Sequence, residues 1–165
     1  MDTNLPAVCA QQSDMHPLVA LLLVLVLIGL MALIPVAAMS ANWRAGESLR
    51  ARYLREKNIA EAYSLDLPAI KRGREEFLTS CTACHGPNGE AKPKLGKDLR
   101  HSKFIASQSD GQLVMFLQLG RNTWEPENTT GVAMPPKGGN PMLTNDNLAD
   151  IVQYLRFLQA DAQTP

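Results

Sequence analysis

Between Leu18 and Met39 the chain carries no charged side chain, reading LVALLLVLVLIGLMALIPVAAM. As an α-helix this run is roughly 33 Å long, enough to cross a hydrocarbon layer of about 30 Å. A core helix of a small soluble domain needs no such unbroken run. The block divides the chain, because all 16 Lys and Arg lie after it, within residues 40–165. We therefore read residues 1–17 as an N-terminal tail, 18–39 as a transmembrane helix, 40–65 as a helical connector and 66–165 as one folded domain. A cleaved leader competes, with Val36-Ala37-Ala38 as its cleavage site. Against it stand the length of the run and the lack of any basic residue before it, so a retained anchor is expected. Cys9 precedes the run and reads as a free thiol.

The 16 basic residues are balanced by 16 acidic ones, which gives no basic excess to neutralise phosphates and no reason to expect nucleic acid. Orientation poses a conflict. Asp2 and Asp14 precede the run, whereas Arg44, Arg50, Arg52, Arg55 and Lys57 follow it. Counting positive charge alone places the C-terminal side in the cytoplasm. The chemistry of the domain points the other way.

Residues 43–63 are rich in helix formers and lack Pro, so a flexible tether is a poor description. Arg52 with Glu56, and Lys57 with Glu61, are spaced to pair along one helix face. Trp43, Leu49, Tyr53 and Leu54 add apolar contact area. A solvated stalk and a docking helix against a larger complex both fit this segment.

The chemistry sits in Cys81-Thr82-Ala83-Cys84-His85. Two thiols three residues apart reach the two vinyl groups of a haem and form thioethers, and the adjacent His supplies an imidazole to the iron. A thioredoxin-type dithiol wants a strand before it, and none is visible. A zinc site needs two further ligands, but only Cys9, His16 and His101 remain. With three Cys in all, a disulfide scaffold is excluded.

Downstream, the loop GVAMPPKGG carries Met134, a thioether for the other haem face that raises the potential and closes the iron to small molecules. Met115, in LVMFLQLG, reads as a core residue. Met142 and His101 stay open as lesser candidates for the second ligand. Around these residues the pattern is helical. Residues 67–80 form a first helix with Ile70, Gly73, Phe77 and Leu78 on one face. Residues 110–120 form a middle helix stopping at Gly120. A last helix starts near Thr144-Asn145-Asp146 and repeats Leu148, Ile151, Val152, Leu155 and Leu158. No stretch alternates as a strand does.

Residues 67–160 resemble the class I monohaem c-type cytochromes. The resemblance rests on Gly73 and Phe77, Cys81 to Gly86 with Gly89, Pro93 and Leu95, Gly120, Met134-Pro135, and Leu143-Thr144 leading into Ile151-Val152-Gln153-Tyr154-Leu155. It implies an all-α fold in which Gly73 and Phe77 cross the final helix near Tyr154. It implies one covalent haem c, with His85 and Met134 as iron ligands and the Pro93 carbonyl accepting from the other His85 ring nitrogen. Arg121 and Trp124 are candidates to hold a haem propionate. Covalent attachment in such proteins occurs outside the cytoplasm, so the domain is expected to be periplasmic and the N-terminus cytoplasmic, in the inner membrane.

The expected role is one-electron transfer as a membrane-anchored subunit of a respiratory or photosynthetic complex, with no small-molecule substrate at the iron, the chain being an electron-transfer protein and not an enzyme by itself. Lys92, Lys94, Lys97, Arg100 and Lys103 form either a solvated loop or a docking patch for an acidic redox partner near the haem edge. The architecture is similar to the anchored monohaem subunit of alternative complex III, which oxidises quinol. An oxidase-linked cytochrome subunit and a free anchored shuttle are the alternatives within the class. A haem peroxidase requires an open iron site, hence no Met ligand; a haem-free subunit requires unmodified thiols.

Overall fold

The first helix, α1 (Pro17–Ala62), runs through the apolar block and the connector without a break. The computed structural model describes residues 16–164, with the side chains of residues 32–45 left out; Cys9 and the side chain of Trp43 therefore lie outside the description. From Leu18 to Met31 every large apolar side chain is exposed. Among the described residues no helix is long and apolar enough to cross a membrane, and the last eight residues of the apolar run, 32–39, fall among the undescribed side chains.

The chain separates into two compact units, Met1–Arg50 and Ala51–Pro165. The second unit begins inside α1, earlier than the 66–165 domain expected from sequence. Tertiary packing explains the shift. Ile59 and Ala60 are buried in the core cluster, and Glu56 is buried against Arg74, with Nη2–Oε1 at 2.7 Å. The expected Arg52–Glu56 pair is thus replaced by a tertiary one. Lys57 and Glu61 do pair along the helix, at 3.6 Å in an exposed setting where little stability follows. Arg55 reaches the far end of the chain, 2.8 Å from Asp161.

Helix α2 (Leu67–Ser80) has Pro in its first turn, where a missing N–H costs nothing. Its buried face carries Ala69, Ile70, Gly73 and Phe77. Leu78, expected on that face, is 45% exposed, because one residue past Phe77 the side chain turns about 100° away. Helix α6 (Asn145–Gln163) is α2's main partner. It starts with a capping box in which Thr144 Oγ1 accepts from the Asn147 N–H and the Asn147 side chain accepts from the Thr144 N–H.

The α2–α6 crossing depends on Gly73. A Cβ there would lie 1.9 Å from the Asp150 carbonyl oxygen, so only a residue without a side chain allows the two backbones to meet. On one side of the crossing Arg72 grips Asp150 through two bonds of 2.7 and 2.8 Å. On the other, Phe77 meets Tyr154 edge-on with centroids 5.2 Å apart. Both residues were expected at this crossing.

Three shorter helices complete the unit: α3 (Thr82–His85), α4 (Lys103–Ser107) and α5 (Asp110–Leu119). Helix α5 is opened by a Ser109–Gln112 capping box and stops at Gly120. Met115 is 60% exposed, not core as expected, since Leu113 and Leu117 take the inward positions and leave Met115 on the outer face. Arg156 of α6 ties α4 and α5 down. It bonds the carbonyls of Ile105 and Gln108 and pairs with Asp110. Among the described residues the only strand-like pairing is one isolated bridge between Arg121 and Met134.

Candidate functional site

Helix α2 ends at Ser80, and the next residues turn immediately into α3, which carries the motif. The Cys84 and His85 N–H groups both donate to the Cys81 carbonyl, so the two thiols and the imidazole are held on one tight turn. Burial, with Cys84 beside it, pushes the free Cys81 thiol up to about 12. A thiol held protonated at neutral pH is a poor attacking group, which argues against a redox dithiol.

His85 is fixed from behind. Its Nδ1 lies 2.9 Å from the carbonyl oxygen of Lys97. A carbonyl only accepts, so Nδ1 carries the proton and Nε2 keeps its lone pair for a metal. Burial lowers the His85 pKa, the Lys97 carbonyl acting in the opposite sense, and this favours the neutral ring. The sequence reading placed the Pro93 carbonyl here. Pro93 instead sits exposed in a turn where the Leu95 and Gly96 N–H groups bond back to the Lys92 carbonyl. That turn shifts the accepting carbonyl to Lys97. The shift needs Gly96, where a Cβ would lie 2.4 Å from the Cys84 carbonyl oxygen and 3.1 Å from His85 Nδ1.

The motif opens onto a cavity of about 450 Å³. Cys81, Cys84 and His85 line it, as do Phe77, Ile151 and Leu155 from the α2–α6 layer and Leu113, Phe116 and Leu117 from α5. Met134 joins them from the loop after α5. Its backbone is clamped to Arg121 by two bonds of 2.8 Å, Arg121 N–H to Met134 O and Met134 N–H to Arg121 O. Beyond it, residues Pro136–Gly139 turn back with Lys137 and Gly138 at positive φ, 55° and 64°, and Asn140 Nδ2 donates to Ser80 Oγ at 3.2 Å, which anchors the loop beside the start of the motif.

Arg121 also lines the cavity. Its guanidinium lies over the rings of Phe104 and Phe116, at 4.6 and 4.8 Å. Its Nε is buried with no hydrogen-bond partner among the described residues; the nearest carboxylate oxygen, of Glu125, is 3.8 Å away. Trp124 does not join it: the side chain is 78% exposed and outside the cavity, because the turn after Arg121 points it to solvent. Met142 is 82% exposed, and His101 turns to Asp98 at 2.9 Å, so neither is brought to the site. Sequence reasoning missed Gly96, and named Lys97 only within a basic cluster and not as the His85 acceptor. A glycine within the KLGKD stretch was the available signal.

These residues fit a covalent haem: two thiols and an imidazole on one turn, a thioether from a separate loop, an apolar cavity between, and an orphaned guanidinium N–H at its wall. The group itself supplies reversible one-electron chemistry at iron. The chain's own residues do the rest: Lys97 orients His85, Arg121 fixes the backbone of Met134, and the aromatic and aliphatic lining excludes water.

Comparison with known proteins agrees. The family model for cytochrome c matches residues 70–159, more than half of the chain. The chain is also 28% identical over 103 residues to the "Cbb3-type cytochrome c oxidase subunit FixP" of Azorhizobium caulinodans, a match that covers 62% of this chain. The chain spans about a third of that relative's length, 31%. No solved structure matches. The Cys81–His85 turn, the cavity above it and the family match together make this chain a member of the cytochrome c family, all-α in fold, carrying covalently bound haem c for electron transfer.

Proposed function

We propose that the chain is a membrane-anchored one-electron carrier within a respiratory electron-transfer complex, its single haem bound by Cys81 and Cys84 and ligated by His85 and Met134. The observation that carries this reading is the convergence of His85, from α3, and Met134, from a separate loop, on one apolar cavity beside the two thiols. With both iron faces taken there is no place for peroxide or O₂, so the reading is electron transfer and not peroxidase chemistry. Arg121 holds a haem propionate through its unpartnered Nε. The test is the oxidised spectrum. A thioether-to-ferric charge-transfer band, with no CO binding after reduction, supports the reading; ready CO binding moves it to an enzyme.

Anchoring rests on the uncharged run of residues 18–39, and the exposure of its described apolar side chains suits a lipid environment. The haem domain then lies on the extracytoplasmic side of the inner membrane, with the N-terminus inside. A fixed subunit is favoured over a shuttle because residues after Ala51 in α1 pack on the domain through Arg55, Glu56, Ile59 and Ala60 and do not form a loose tether. The FixP relative favours an oxidase-linked complex over a quinol-oxidising one such as alternative complex III. Purifying the native complex and identifying the co-migrating chains decides between them: oxidase subunits support the first, quinol-oxidising subunits the second.

A further inference from the structure

We infer that Lys97 is a positioning residue that straps the histidine side of the haem site to the methionine side. The proposal rests on His85 and Met134 being the two iron ligands. Its backbone carbonyl accepts from His85 Nδ1 at 2.9 Å, while its own ammonium donates to the Glu127 carbonyl at 2.6 Å. Glu127 belongs to the segment that leads to Met134. The next residue, Asn128, gathers that segment: its Nδ2 donates to the Asn122 and Val132 carbonyls at 3.0 and 2.9 Å, and its Oδ1 accepts from the Gly131 N–H at 3.0 Å. Val132 lies two residues before Met134. One residue therefore bonds the ring that holds the iron on one side and, through a knotted loop, sets the position of the sulfur on the other.

Both Lys97 and Asn128 line the cavity wall, so the strap crosses its rim. The bond from Lys97 Nζ is charge-assisted and short, and it is the described side-chain link between the 92–97 turn and the 122–132 loop. Its loss leaves the Lys97 carbonyl, Gly96 and the core in place. The consequence falls on the sulfur: without the strap the 122–132 loop opens more often, and Met134 leaves the iron more often.

The experiment uses the full haem-loaded chain. Cyanide binding to the oxidised protein reads how often the sulfur departs, and it is measured by stopped flow for the parent, Lys97→Met and Lys97→Arg. Lys97→Met keeps an unbranched side chain, one atom shorter, and removes the donor; Lys97→Arg restores one. The expected result is cyanide binding about three- to tenfold faster in Lys97→Met, the effect of one net hydrogen bond, and within about twofold of the parent in Lys97→Arg. Haem content and far-ultraviolet circular dichroism stay at parent values. A Lys97→Met protein that binds cyanide at the parent rate, or an arginine variant as fast as the methionine one, overturns the strap while leaving the ligand assignment intact. A parent protein without the thioether charge-transfer band overturns both.

Discussion

Arg121 and Met134 exchange both of their backbone hydrogen bonds, each 2.8 Å long, in the one strand-like contact among the described residues. The pairing places the methionine at the cavity wall with its amide and carbonyl already satisfied, so any ligand role falls to the side chain alone. The same clamp brings the Arg121 guanidinium over Phe104 and Phe116 at that wall.

If Met134 supplies the sulfur, Met134→His replaces a weak donor by a strong one. We expect loss of the thioether charge-transfer band and a midpoint potential lower by on the order of 0.1 V, within the roughly 0.8 V that axial ligands span. Met142→Leu, at an exposed position, leaves both unchanged. Redox titration with optical detection checks the pair.

Gly73→Ala puts a methyl group 1.9 Å from the Asp150 carbonyl oxygen. The helices must separate, and the Arg72–Asp150 and Phe77–Tyr154 contacts separate with them. The expected cost is about 3 kcal/mol, at the upper end for overpacking because the obstacle is backbone. Denaturant unfolding of the haem-loaded protein measures it.

The first residues of the second unit owe their place to Glu56. Its carboxylate is buried against Arg74, whose guanidinium also lies 5.3 Å from the Tyr154 ring. Glu56→Leu leaves Arg74 without its anion, at a cost of roughly 2–3 kcal/mol, moderated by the 28% exposure that Arg74 retains. Adding Arg74→Leu removes the orphaned charge and is expected to recover part of the loss. A double-mutant cycle reports the coupling.

Tyr154 gives a pH-dependent contribution. Burial holds its phenol above the ordinary value of 10.0; Arg74 opposes this and Glu56 and Asp161 add to it. A raised folded-state pKa means that the unfolded chain ionises first. The stabilisation is thus complete below pH 10 and is lost as pH rises through the folded-state value. Tyr154→Phe is expected to show a shallower loss of stability than the parent as pH rises above 10, by urea unfolding at each pH.

What the sequence revealed and what it hid divide along local against tertiary causes. The Cys81–His85 motif, the α2 boundaries and the start of α6 depend on spacing and capping residues, which are written locally, whereas the Gly73 crossing was legible only through the family resemblance. The acceptor for His85 depends on backbone turns. Ala91 and Lys94 both adopt positive φ, at 75° and 63°, which no residue-type rule anticipates, and they carry the chain past Pro93 to Lys97. Glu56 had a helical neighbour at the right spacing in Arg52, yet a partner from α2 won because it lets the carboxylate be buried with its charge matched. Met115 matched an apolar run, but in a ten-residue helix only one face is covered.

The most direct test of the central claim is mass spectrometry of the tryptic peptide containing residues 81–85, from protein made in its native host and treated with a thiol alkylator. The account predicts one haem attached to that peptide and no alkyl group on Cys81 or Cys84. A peptide of bare polypeptide mass with both cysteines alkylated contradicts it.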